Sequence, residues 1–343
     1  MKAAPSESRS DGAAIWRLPR LGFGGGAIGN LYAAVSDDVA GQTVAAALHA
    51  GLRYFDTAPH YGFGLSETRL GRALAGQADV ILSSKVGRLL VPNPAGPGAR
   101  HGFVDAAPFE PVFDYGYDAV MRSHAASLAR LGRDRIDILL AHDLGRRTHG
   151  DQHPARLRDF FEGGYRAMRE LRDSGAVGAI GLGVNEYEVC EEALAHGDFD
   201  VFLLAGRYTL LDQSALDRFL PLCAKRGVRI IIGGPFNSGV LVEGSGRPLH
   251  YNYHPAPPEI VDRVRRLGAV CAAHGVPLPA AALQFPLAHP AVASVIPGLG
   301  DPDQVEQAVA WMATAIPDAL WDDLRTEGLL HPDAPTPRAR VAA

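Results

Sequence analysis

Four side chains in this sequence have the types and spacing to move a proton while a hydride moves beside it. Asp56, Lys85 and His142 each close a short apolar run: LRYFD, DVILSSK and RIDILLAH. Tyr61 follows Asp56 by five positions in DTAPHYG. A free phenol has a pKa of about 10 and holds its proton too tightly for neutral pH. A neighbouring ammonium stabilises the phenolate, and a carboxylate fixes the ammonium. Lys85 and Asp56 have those chemistries, and the expectation is that Lys85 lowers the working pKa of Tyr61. His142 is suited to orienting a carbonyl or hydroxyl oxygen. Taken singly, a polar residue at a strand end is an ordinary turn former. Three ionisable groups on three successive runs point to one pocket.

The elements that must position them follow from a repeating pattern. Eight apolar runs end near Gly26, Asp56, Lys85, His142, Asn185, Ala205, Gly233 and Pro297, and each is followed by a stretch of helical periodicity. The helices are expected near 37–50, 66–74, 115–131, 160–174, 187–196, 215–226, 258–274 and 302–313. Runs such as ILL and IIIGG are apolar on both faces, as parallel strands covered by helices are. Eight strand–helix units imply a (β/α)8 barrel, whose catalytic groups gather at the carboxyl ends of the strands. An open doubly wound sheet is the competing architecture. The barrel is expected over 15–330, after a flexible lead at 1–14 and before a tail at 331–343. The segments 86–114 and 234–257 read as long structureless loops that shape the substrate pocket, with Arg100, His101, Asn237 and His250 as polar entries suited to a hydroxylated substrate.

Bulk properties narrow the class. A length of 343 residues accommodates a barrel of about 250 residues with insertions. Hydrophobic residues at 47% and charged residues at 21% suit a globular chain with a sizeable core. The net charge of −5 is spread along the chain, so no basic stripe suggests nucleic acid. No run reaches the roughly 20 apolar residues of a membrane helix. Cys190, Cys223 and Cys271 stand alone, which argues against a disulfide framework and for a reducing compartment. The amino-terminal residues lack the apolar run of a signal peptide. A cytoplasmic enzyme with a small-molecule partner is the expectation, with oligomeric state left open.

Several motifs carry a family resemblance. GLRYFDTAPHYGFGLSETRLGRAL resembles the aldo-keto reductase signature around the catalytic Asp and Tyr, SSKVG the segment of the catalytic Lys, and DILLAHD that of the catalytic His. GAVGAIGLGVNEYE is similar to the segment that binds the nicotinamide amide, and SVIPGLGDPDQVEQ to the adenosine side. The resemblance runs from about Leu18 to Ala315. It implies a catalytic tetrad of Asp56, Tyr61, Lys85 and His142 and a bound NAD or NADP. The implied cofactor contacts are Gly25, Gly26, Asp56, Asn185, Pro235, Phe236, Asn237, Gly239, Gly298, Gln304 and Gln307. AGRYTLLDQ and GGPFNSGVL resemble the aldose 1-dehydrogenase branch, which oxidises L-fucose, L-galactose or D-threo-aldoses and includes pyridoxal 4-dehydrogenases. Two departures stand out. Gly233 and Gly234, not an aromatic, precede Pro235, so another residue must stack on the nicotinamide. The sixth strand ends in Ala205 and Gly206 rather than an amide side chain.

The segment after strand eight bears on the choice of cofactor. A 2′-phosphate favours Arg or Lys forks. Nothing basic lies between Ile296 and Ala313, whereas Asp301, Asp303 and Glu306 do. NAD is therefore expected, with Arg247 as the one cation able to supply a phosphate contact from the loop after strand seven. Oxidation is the expected direction. Rival readings are a Rossmann site at GGGAIG (24–29), a metal hydrolase using His60, His101 and His142, a Schiff-base aldolase using Lys85, and a nucleotide-holding regulatory subunit. No metal-type spacing supports the second.

Overall fold

A computed structural model describes residues 17–93, 95, 98–242, 250–252 and 254–337. Eight parallel strands pair in chain order: β1 (Phe23–Gly24), β2 (Tyr54–Asp56), β3 (Ile81–Val86), β4 (Ile136–His142), β5 (Val177–Val184), β6 (Val201–Ala205), β7 (Arg229–Gly233) and β8 (Val292–Ile296). The sheet closes on itself. Leu21 bridges Val295 and Gly24 bridges Gly298, and Gly22 N donates to Val295 O at 2.9 Å. The molecule is a (β/α)8 barrel.

The outer layer is α1 (Asp37–His49), α2 (Leu65–Ala73), α3 (Tyr117–Leu131), α4 (Tyr165–Asp173), α5 (Glu188–His196), α6 (Phe219–Arg226), α7 (Pro258–Ala273) and α8 (Pro302–Ala313). The first and last of them start at side-chain caps. Ser36 Oγ accepts from Val39 N at the head of α1, with Asp37 and Asp38 in its first turn. Asp301 accepts from Gln304 N at the head of α8. One large apolar layer, including Phe23, Phe55, Leu139, Ile180, Phe202 and Ile232, fills the space between strands and helices. A second cluster lies inside the barrel: Tyr54, Ile138, Leu140, Ala179, Val201, Leu203, Ile231 and Ile296.

The structure departs from the sequence reading in several places. Segment 86–114 is largely folded: Arg88–Pro92 pairs with Phe109–Phe113, and Gly98–Arg100 with Phe103–Ala106, as antiparallel ribbons. Their Pro and Gly residues gave the appearance of a loop. Yet Pro111 sits in a two-stranded ribbon, where its missing N–H disrupts no central ladder. The helix expected over 160–174 is preceded by His153–Asp159 and a π turn at Phe160–Gly164. Helices at Leu278–Gln284 and Asp318–Thr326 were not anticipated, because both are short and the first begins in a Pro-containing apolar run.

From His331 to Ala334 the chain stays attached. His331 N donates to Gln213 Oε1 at 2.6 Å, and Ala334 is buried. The expected lead at 1–14 and Arg247 lie outside the described residues. Among the described residues no single helix is long and apolar enough to cross a membrane. Pro258–Ala273 and Leu278–Ala288 reach that composition only together, across a 100° bend.

Candidate active site

The period of a β-strand decides what faces the barrel interior. Tyr54 and Leu140 belong to the inner cluster, so Asp56 and His142, two residues further on, point inward one layer nearer the carboxyl rim. Ser83 reaches the same interior, since its hydroxyl lies 2.9 Å from that of Tyr54; Lys85 follows it by two. On β5 the matching position is Gly183, where a Cβ would lie 3.2 Å from Lys85 Cε. The absence of a side chain there leaves the passage that Lys85 occupies.

Lys85, 1% exposed, uses all three of its donors. Nζ donates to Asp56 Oδ1 at 2.9 Å, to Asp56 Oδ2 at 2.7 Å and to Thr57 O at 2.8 Å. Ser83 Oγ donates to Asp56 Oδ1 at 2.7 Å. Burial pushes the Asp56 carboxyl above its ordinary range, against the pull of Lys85 and Ser83. Lys85 Nζ also lies 4.6 Å from the centre of the Tyr61 ring. The structure thus brings Asp56, Lys85 and Tyr61 together. An ammonium so fully engaged has no lone pair to offer a carbonyl carbon, which weighs against the Schiff-base reading.

The Tyr61 phenol stands well above its ordinary value. Burial is the main cause, followed by the charges of Asp56 and Asp143. The opposing cation is Arg88, not Lys85. Asp56 already meets the charge of the Lys85 ammonium. In this state Tyr61 is a proton donor.

His142 is buried, its ring edge-on to Tyr61 with centroids 5.9 Å apart. Its carbonyl accepts from the Tyr115 hydroxyl at 2.7 Å. Burial, then Arg88 and Lys85, hold the imidazole well below its ordinary pKa, so it is neutral. Beside it Asp143 contacts the Arg88 guanidinium and accepts from Asn185 Nδ2 at 3.0 Å. Arg88 Nη1 meets His60 Nε2 at 3.1 Å. An apolar wall of Phe63, Phe103 and Ala106, with Leu31 and Leu90, packs against Tyr61. The second ribbon supplies Phe103 to it.

The implied cofactor contacts meet a mixed outcome. The Asp56 carboxylate is committed to Lys85 and Ser83, as above. Gly25 serves the protein's own packing: a Cβ there would lie 2.6 Å from Asp56 O. Gly26 is less crowded, with Leu31 Cδ2 at 3.7 Å the nearest atom to a Cβ. Phe236 lies against Trp311, with ring centres 5.6 Å apart, rather than over the pocket. Asn237 is a brace, accepting from Thr209 Oγ1 at 2.6 Å and donating to Gly206 O at 3.1 Å. Gln304 is tied to its own helix cap, with Nε2 donating to Asp301 Oδ2 at 2.7 Å. Pro235 is buried and Gln307 exposed. Gly239 and Gly298 face open space among the described residues: a Cβ would meet none of their atoms within 4 Å at either, nor at Gly234. This clear rim between β7 and β8, where backbone lies bare, fits the close approach of a dinucleotide.

Other proposed residues resolve differently. Arg100 donates to Ala107 O and Phe109 O and pairs with Glu110, joining the two ribbons. His101 also contacts Glu110. His250 stacks on Tyr32 with centroids 6.1 Å apart, linking the loop after β7 to that after β1. GGGAIG leads into a short 3-10 turn at Ala27–Gly29, and a full helix starts only at Asp37, unlike a Rossmann turn. His60 does lie near both His101 and His142, at ring separations of 5.8 and 5.9 Å. Among the described residues, however, no group of three His, Cys, Asp or Glu side chains is placed to hold a metal ion.

Sequence reasoning missed Arg88 and Asp143. Each had a signal: Arg88 follows Lys85 by three in SSKVGR, and Asp143 directly follows His142. It also missed Arg207, whose guanidinium joins Asn185 O, Asp212 and Asn252 across three loops.

Comparison with known proteins agrees with this geometry. Residues 20–326 match the model of the Aldo/keto reductase family. The chain is 43% identical to the pyridoxal 4-dehydrogenase of Microbacterium luteolum over 96% of this chain and 100% of that one. It is 40% identical to the D-threo-aldose 1-dehydrogenase of a Pseudomonas species, over 95% and 97%. Among solved structures, the holo form of an aldo-keto reductase from Bacillus halodurans superposes with a TM-score of 0.70 at 26% identity, covering 92% of this chain and 93% of that one.

Proposed function

Because the chain belongs to the aldo/keto reductase family, and is thereby an oxidoreductase, we propose that it oxidises the hemiacetal carbon of a small cyclic aldose to a lactone, with NAD+ as acceptor. Asp56, Tyr61, Lys85 and His142 are the proposed catalytic set. The observation that carries the reading is the Tyr61 phenol set between the Lys85 ammonium and the His142 imidazole, with a fixed carboxylate behind. When bound, the nicotinamide ring supplies the hydride acceptor. The residues do the rest. His142 orients the C1 hydroxyl by a hydrogen bond, and Tyr61 as phenolate takes its proton. The electron pair of the breaking O–H bond forms the lactone carbonyl as the C1–H bond yields its hydride. Lys85 stabilises the phenolate, and Asp56 holds Lys85. In reduction the same phenol donates.

The bare backbone at Gly234, Gly239 and Gly298, with Asn185 at the end of β5, is the proposed nucleotide seat. The acidic start of α8 favours NAD over NADP, because Asp301, Asp303 and Glu306 would repel a 2′-phosphate. The second reading is pyridoxal as substrate, favoured by the 43% identity to an enzyme of that name along its full length. The two converge chemically: pyridoxal carries its aldehyde beside a hydroxymethyl group and also closes to a cyclic hemiacetal.

The test is a screen of the full chain with NAD+ against L-fucose, L-galactose, D-threo-aldoses and pyridoxal, following NADH at 340 nm and trapping lactone with hydroxylamine. Lactone from an aldose supports the first reading, and from pyridoxal alone the second. Turnover confined to the reduction of open-chain aldehydes would overturn both. The raised Tyr61 pKa gives a sign. Oxidation, which needs phenolate, is expected to accelerate as pH rises from 7 to 10, and reduction, which needs the phenol, to stay level over that range.

A further inference from the structure

We propose that Arg88 and Asp143 form a charge-cancelling clamp that holds both His60 and His142 as neutral imidazoles, His60 as its Nδ1–H tautomer, which makes Arg88 a positioning residue for the proton-transfer site. The inference rests on the proposed role of His142 only for its kinetic consequence.

The geometry begins at the end of β3. Arg88, the first residue of the Arg88–Pro92 ribbon, places its guanidinium over the Phe113 ring at 4.6 Å and is 12% exposed. One nitrogen contacts Asp143 Oδ2, and another lies 3.1 Å from His60 Nε2. A guanidinium only donates. His60 Nε2 must therefore accept, so its ring proton sits on Nδ1. An imidazolium would set an N–H against an N–H in the same space.

Asp143 occupies the other side of the clamp. It holds φ +50°, in the left-handed region that costs a non-glycine residue energy. That turn follows His142 directly and brings the carboxylate back over the site. Oδ1 accepts from Asn185 Nδ2 at 3.0 Å, Asp143 N donates to Gly183 O at 2.9 Å, and Oδ2 lies 3.6 Å from His142 Nε2. A lone carboxylate so close would draw a proton onto His142. Arg88, on the same Oδ2, cancels that pull.

The charged and titratable neighbours point the same way. Around His142 they are Lys85, Arg88, Asp143, Tyr61 and His60; around His60 they are Arg88, His142, Asp143 and His101. Burial followed by Arg88 and His142 pushes His60 down to about 2. Burial followed by Arg88 and Lys85 depresses His142. A neutral His142 donates a hydrogen bond to the reacting oxygen and changes no charge as the hydride leaves. An imidazolium there would repel Lys85 and compete with Tyr61 as the acid.

The full chain labelled with 15N-histidine tests this without substrate. Long-range 1H–15N correlation spectra from pH 5 to 9, assigned through His60→Gln and His142→Gln, read charge and tautomer directly. The wild type is expected to show both rings neutral throughout, with His60 protonated on Nδ1. In Arg88→Met, His142 is expected to titrate within that window, and His60 to lose its single tautomer. Adding Asp143→Asn to Arg88→Met is expected to return His142 to neutrality. A wild-type His60 that is Nε2–H or cationic at pH 6 would overturn the proposal whether or not the Arg88 variants fold. So would an Arg88→Met spectrum unchanged from wild type.

The kinetic arm uses pyridoxal or an aldose with NAD+. The ratio of Arg88→Met to wild-type kcat is expected to fall about tenfold from pH 8 to pH 6, and to stay flat in the double variant. A flat ratio in the single variant contradicts the clamp. Absence of turnover in the wild type would count against the proposed function and leave the spectroscopic result standing.

Discussion

The two sides of the barrel's carboxyl rim are built by opposite means. On the β2–β4 side the charged groups near the centre have fixed partners: Lys85 has three acceptors, Asp56 two donors, and Asp143 both Arg88 and Asn185. On the β7–β8 side Gly234, Gly239 and Gly298 leave empty space, and the side chains that might have reached it are turned elsewhere, Phe236 to Trp311 and Asn237 to Thr209. The difference suits the roles proposed for the two sides. Moving a proton requires donors and acceptors already aligned, since reorganisation during reaction costs rate. Seating a long dinucleotide requires room for backbone to come close.

The contrast can be broken most severely at Lys85. Lys85→Met leaves Asp56 buried beside one hydroxyl and no cation. Removing one partner of a buried ion pair typically costs about 3–5 kcal/mol of stability, and turnover should fall by more than about 100-fold, the scale of general acid–base catalysis. Thermal denaturation and stopped-flow kinetics measure the two effects. A variant with unchanged Tm would mean that the pair is not the strut the geometry describes.

A smaller effect is expected on the open side. Gln304→Arg places a fork at the start of α8, where Asp301 now holds the amide. Its kcat/KM with NADP+ relative to NAD+ should rise about tenfold, or 1.4 kcal/mol. No change would show that the 2′-position lies away from this helix. The smallest expected effect on the fold is at Gly298→Ala, where the new methyl meets no atom of the described residues within 4 Å. Stability should stay within about 0.5 kcal/mol while NAD+ affinity, read by fluorescence quenching, weakens. Unaltered affinity would remove Gly298 from the nucleotide seat.

The same contrast explains what the sequence disclosed. The ionisable strand ends Asp56, Lys85 and His142 were legible because an ionisable residue that closes a strand apolar on both faces has only the carboxyl rim to go to. The eight strand–helix units were legible for a similar reason. Arg88 and Asp143 were not, because their role depends on a ribbon folding back and on a left-handed turn. Neither leaves a periodic trace. The ribbons within 86–114 were hidden by Pro and Gly, which usually mark loops. The proposed cofactor side was obscured most, since its features are missing side chains and backbone exposure. Gly25 and Gly298 look alike as letters, yet one is pressed against Asp56 and the other stands open.

The central claim is that Tyr61 passes the proton while the nucleotide seat stands apart from it. Its most direct test is Tyr61→Phe, with kcat measured on the best substrate from the screen and NAD+ affinity measured on the same preparation. The account predicts a loss of about 100-fold or more in kcat, with the dissociation constant for NAD+ unchanged within a factor of about two. Near-normal turnover, or a loss traced entirely to nucleotide binding, would contradict it.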